Sequence, residues 1–250
     1  LRRTLPWIGL LYFSEGFPFG IVYECLPVYF RTAGVALRDI GLLSLLGLPW
    51  SLKVFWSPLI DRFGERRHWI LFCQLGMALA LITLPLFPPG EIGWALRGLL
   101  LLFTVFSATQ DIAVDAYTIA IVPRGQEGPA NSVRVTAYRV ALIVGGGGMV
   151  ALATFLPWPV LFGSGAAVFF VLAVAAWRAP RFQVPVGEQR AFFRPLVSWL
   201  RRGSAVPVLV FILIYKLADA SMGPMVKPFW IHRGLSPAEI GLISTTVGVL

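Results

Sequence analysis

Apolar residues run in stretches of about 18 to 30 along this chain, each closed by a short polar or glycine- and proline-containing break. Such runs are long enough for a helix to cross a hydrocarbon core about 30 Å thick. The first runs from Pro6 to Phe30 and the second from Ile40 to Ile60, followed by Trp69–Phe87, Trp94–Val122, Ser132–Phe155 and Val160–Trp177. A polar segment, residues 178–203, interrupts the series; a seventh run covers Ala205–Trp230 and an eighth begins at Ile240. The pattern predicts an all-α polytopic membrane protein: a six-helix bundle over residues 1–177, a linker over 178–203, and the start of a second bundle over 204–250.

Composition narrows the class. Of 250 residues, 57% are hydrophobic and 13% charged, where a soluble domain carries about 25% charge. An aromatic content of 14% excludes a disordered chain. The net charge of +9 does not point to nucleic acid, because basic residues in a membrane chain gather in cytoplasmic loops. With the N-terminus inside, thirteen arginines fall on cytoplasmic segments against four outside, Arg31, Arg38, Arg97 and Arg233. That asymmetry orients the N-terminus to the cytoplasm. Cys25 and Cys73 lie in apolar runs, and His68 and His232 are far apart, so neither pair marks a disulfide framework or a metal site. No nucleotide-binding motif or cofactor site is present, and no nucleophile–base set that would mark an enzyme.

Residues Gly34–Ser44 align without a gap to Gly234–Ser244, with Asp39 and Glu239 each just before an Ile-Gly-Leu that opens a span. Six spans separate the copies, which predicts a parallel repeat of six-helix halves. The eighth run holds only eleven residues, about 16 Å of helix. The chain therefore reads as a fragment, with the first half complete and the second begun.

Charges inside spans are costly and mark function by default. Glu15, Lys53, Asp115 and Arg139 each lie about eight residues from a cytoplasmic span end, a common depth of about 12 Å. That layer predicts mutual pairing around a central cavity, with Asp115 paired to Arg139. Asp111 stands one turn deeper on the same face as Asp115. It has no basic residue at its own level, and is expected to carry a proton. Asp115, Glu15 and Asp219 are further proton-coupling candidates, and Lys216 is placed to neutralise Asp219. Gln110, Tyr117 and Tyr138 are candidates for lining the substrate cavity. Gly145–Gly148 sits in an apolar span and predicts close helix packing.

The stretch Ser57-Pro58-Leu59-Ile60-Asp61-Arg62-Phe63-Gly64-Glu65-Arg66-Arg67 joins spans two and three on the cytoplasmic side. It resembles the loop signature of the major facilitator superfamily, Gly-x-x-x-Asp-Arg-x-Gly-Arg-Arg, with Ser57 in place of the first glycine and Glu65 in place of one basic residue. The resemblance implies a cytoplasmic gate formed by Asp61, Arg62, Gly64, Arg66 and Arg67.

Five further stretches carry a narrower resemblance: Ser14–Gly20, Lys53–Arg62, Ser107–Tyr117 with its Thr109-Gln110-Asp111-Ile112-Ala113-Val114-Asp115 run, Tyr138-Arg139 before the glycines, and Tyr215–Ala220. In this order they are similar to the muropeptide permease family of bacterial transporters. What the resemblance implies is proton symport of anhydro-muropeptides, a glycan-peptide class recycled from the cell wall, across the bacterial inner membrane. Eukaryotic acetyl-CoA transporters resemble the Thr109–Asp115 run too. A carrier of acetyl-CoA or another bulky polar metabolite is therefore the alternative, together with a truncated, inactive fragment.

Overall fold

A computed structural model of the chain describes residues 4–62, 65–88, 90, 92–123, 125–180, 198, 201–211 and 214. It divides into two compact units, Leu1–Val184 and Pro185–Leu250. In the second, residues 205–211 are helical; Lys216, Asp219 and the repeat copy at Gly234–Ser244 lie outside the described residues.

Among the described residues, the first unit holds five helices long and apolar enough to cross a membrane: α1 (Leu5–Thr32), α3 (Arg66–Leu86), α4 (Trp94–Ile121), α5 (Glu127–Leu152) and α6 (Trp158–Arg178). The predicted second span is also helical but is built from pieces. Here α2 runs through Leu37–Leu42, Leu48–Leu52 and Ser57–Arg62, joined by tighter 3-10 turns at Leu43–Gly47 and Lys53–Phe55. Pro49 and Pro58 each remove a backbone donor inside this run, which interrupts the ordinary helical ladder. The chain is an all-α, multi-pass membrane protein.

Two turns use left-handed glycines that a side chain would strain: Gly34, at φ 87°, between α1 and α2, and Gly125, at φ 81°, between α4 and α5. Inside the bundle α1 packs along α5, and α3 lies against both α6 and α4. The α1–α5 contact is backbone against backbone. A Cβ on Gly16 would stand 2.6 Å from the Tyr138 carbonyl oxygen, and one on Gly145 would stand 2.5 Å from that of Phe17. The glycine run predicted to serve packing does so, and it forms a widened π turn, Ile143–Gly148, facing a second π turn in α1, Ile21–Cys25.

The outward faces are apolar. On α3, Phe72, Leu75, Leu79, Ile82 and Leu86 form an exposed stripe at three- and four-residue spacing, while Ile70, Cys73, Met77 and Leu81 turn inward. In water such a stripe would be a liability; against lipid tails it costs nothing.

Candidate functional site

Polar side chains that the apolar pattern leaves inside spans converge where α1, α2, α4 and α5 meet. Helix α1 contributes Tyr12, Ser14 and Glu15; α2 contributes Lys53 and Trp56; α4 contributes Thr109, Gln110, Asp111 and Asp115; and α5 contributes Arg134 and Tyr138. On α4, Asp111 and Asp115 are one turn apart, so one face presents two carboxylates at different depths.

Asp111 is buried, and its Oδ2 lies 3.4 Å from Lys53 Nζ. The sequence left Asp111 without a basic neighbour; the structure supplies one. Counting depth along the backbone leaves out the long Lys53 stem, which carries its ammonium to a carboxylate on another helix. Beside this pair, Trp56 Nε1 donates to Thr109 Oγ1 at 3.1 Å, a second tie between α2 and α4.

Asp115 does not pair with Arg139. Its Oδ1 accepts from the Tyr12 hydroxyl at 2.7 Å and lies 3.6 Å from Arg134 Nη2. The Arg134 guanidinium stands 4.6 Å above the Tyr12 ring, so one cation serves a carboxylate and an aromatic face together. Helix α5 begins at Glu127 rather than near Ser132. Arg134, near the start of the predicted fifth run, thus stands about two turns into the helix. Tyr12, Trp56 and Arg134 are the participants that sequence reasoning missed. The usable signal for Tyr12 was its place three residues before Glu15, on the same face of α1.

Glu15 is 9% exposed, and its Oε2 is buried without a hydrogen-bond partner among the described residues. Asp111 Oδ1 is in the same condition. Gln110, expected on a cavity wall, is fully buried, and its Nε2 donates to the Ser14 carbonyl oxygen at 2.8 Å. Tyr117 is buried too, its hydroxyl donating to the Pro180 carbonyl oxygen at 2.8 Å. Tyr138 is half-buried near the Phe19 ring, which packs with Tyr23 and Trp50 in one aromatic group.

A cavity of about 920 Å³ opens between α1, α4 and α5, lined by Tyr12, Asp115, Thr118, Glu127, Asn131 and Arg134 among others. Its size is at the upper end of small-molecule sites. The Asp115–Tyr12–Arg134 cluster forms its polar wall, and the Lys53–Asp111 pair lies one turn further along α4.

Of the loop between spans two and three, Asp61 and Arg62 close the last helical piece of α2; their side chains and Gly64 lie outside the described residues. Arg66 begins α3. Arg67 is buried, with Nε donating to Glu65 Oε2 at 2.7 Å and Nη1 to the Trp177 carbonyl oxygen at 3.3 Å. This ties the start of α3 to the end of α6.

Comparison with known proteins gives the same direction as the fold. The chain is 30% identical over 253 residues to the anhydromuropeptide permease of Escherichia coli (strain K12), which covers 96% of this chain and 51% of that one. It is 29% identical over 262 residues to the putative transporter AmpG 4 of Rickettsia conorii, covering 97% of this chain and 63% of the relative. An uncharacterized protein of Haemophilus influenzae is 30% identical over 247 residues, covering 92% and 58%. The chain thus spans about half to two thirds of the length of these relatives. The model of the Major Facilitator Superfamily matches residues 8–250, nearly the whole chain, and the chain belongs to that superfamily.

Proposed function

We propose that this chain is the first six-helix half, and the beginning of the second, of a secondary transporter that imports anhydro-muropeptides by proton symport across the bacterial inner membrane. In this reading the N-terminus is cytoplasmic, residues 178–203 link the halves, and Asp61, Arg62, Gly64, Arg66 and Arg67 form the cytoplasmic gate. The observation that carries it is the pair of buried carboxylates, Glu15 and Asp111, of which Asp111 forms an ion pair and Glu15 forms none among the described residues. The Escherichia coli relative's name supplies the substrate class.

The proton assignment changes with the geometry. Asp111 is neutralised by Lys53, so it has less need of a proton than the sequence implied. Glu15 has no ion-pair partner within reach among the described residues. A lone charge at such depth costs several kcal/mol, a cost a bound proton removes. Glu15 therefore carries the proton, and Asp111 with Lys53 passes its arrival on as a change in pairing. The cavity beside Asp115 and Arg134 receives the substrate's polar groups.

The test is uptake of labelled anhydro-muropeptide into vesicles bearing the native gene product. A pH gradient, acid outside, should drive accumulation above equilibrium. Glu15→Gln should abolish that accumulation while downhill flux remains measurable. Undiminished accumulation by Glu15→Gln would remove Glu15 from the coupling step, and absence of any muropeptide flux in the wild type would refute the substrate.

A further inference from the structure

Pro18 lies inside α1, four residues after Ser14. A proline has no N–H for the carbonyl four residues back, and its ring pushes that carbonyl off the helix axis. The Ser14 carbonyl is thus an acceptor that α1 cannot satisfy by its ordinary bond. Ser14 is fully buried, and a backbone acceptor inside a membrane bundle must find its partner within the protein. The partner comes from another helix: Gln110 Nε2 donates to Ser14 O at 2.8 Å and lies 3.2 Å from Ser14 Oγ. The Ser14 hydroxyl is itself committed, donating to Leu11 O at 2.7 Å. Gln110, also fully buried, thereby spends its amide nitrogen on the backbone of α1.

We infer that Gln110 is a positioning residue, a cross-brace that replaces the backbone donor missing at Pro18. Each end of the brace is one residue from a carboxylate. Glu15 follows Ser14, and Asp111 follows Gln110. Fixing Ser14 to Gln110 therefore fixes how Glu15 on α1 stands relative to Asp111 on α4. The π turn at Ile21–Cys25 begins three residues beyond the proline, where an extra residue per turn absorbs the change in register. The functional consequence rests on the coupling role proposed for Glu15 and Asp111; the brace itself does not.

A brace and a substrate ligand make opposite predictions when the proline is removed. Pro18→Ala returns a backbone N–H to position 18, so the Ser14 carbonyl no longer needs Gln110. In the native gene product, Gln110→Leu should lower pH-driven uptake at least tenfold and lower the apparent melting temperature in detergent. The KM of downhill flux should stay within threefold. Adding Pro18→Ala to Gln110→Leu should bring uptake back to within threefold of wild type and restore the melting temperature. If Gln110→Leu alone fails to fold, recovery of folded protein in the double variant is the deciding measurement. A double variant as impaired as Gln110→Leu overturns the brace, as does a Gln110→Leu protein with normal uptake and an unchanged melting temperature. Recovery in the double variant, combined with unimpaired pH-driven uptake by Glu15→Gln and Asp111→Asn, supports the brace and refutes the coupling role.

Discussion

Lys53→Met takes away the ammonium that faces Asp111. At the observed 3.4 Å, two unit charges attract by about 5 kcal/mol in surroundings of effective dielectric about 20. Most of that is offset. The Asp111 side chain is 6% exposed and forfeits its hydration, and the Lys53 side chain is 31% exposed and screened by water. The net coupling should be about 1–2 kcal/mol. The two single changes are unequal, because Lys53→Met leaves a buried carboxylate unpaired, whereas Asp111→Asn leaves a lysine whose long stem can turn its head to water. The assay is a double-mutant cycle on the purified native gene product in detergent, read as apparent Tm. Lys53→Met should fall furthest, Asp111→Asn less. The double variant should lose about 1–2 kcal/mol less than the sum of the two single losses, and should melt above Lys53→Met. Strict additivity of the two losses, or Asp111→Asn as the worst variant, would refute the pairing.

Gly145→Ala should lower apparent stability by about 1–3 kcal/mol, since its Cβ would stand 2.5 Å from the Phe17 carbonyl oxygen, a backbone atom that cannot step aside. Gly163→Ala in α6 is the control: nothing lies within 4 Å of its Cβ, so melting should be unchanged or improved by about 0.5–1 kcal/mol. Tyr12→Phe removes the hydroxyl that donates to Asp115 at 2.7 Å. The cost should stay below about 1.5 kcal/mol, because the Asp115 side chain is 37% exposed and keeps Arg134. A loss well above that in thermal melting would mean that Tyr12 holds more than this one bond.

The spans were legible because a bilayer leaves a helix few alternatives: backbone groups must be satisfied internally, and the run must be apolar for its whole length. So Pro6–Phe30 anticipated Leu5–Thr32, and Trp94–Val122 anticipated Trp94–Ile121. The glycine run could be assigned to packing from its apolar setting alone. The same sequence placed charges at membrane depth without naming their partners. Pairing depends on how the helices pack and how far each side chain reaches, and depth along the backbone gives neither. The packing of α5 in the bundle brings Arg134 rather than Arg139 to Asp115. The long Lys53 stem carries its ammonium to Asp111 rather than into a layer with Asp115. Pro18 was visible as a break in α1, but its compensating donor is Gln110, 96 residues beyond Ser14 along the chain. Local sequence sets what each segment must bury and which donors it lacks; only the packed bundle decides which side chain, from which helix, comes close enough to supply them.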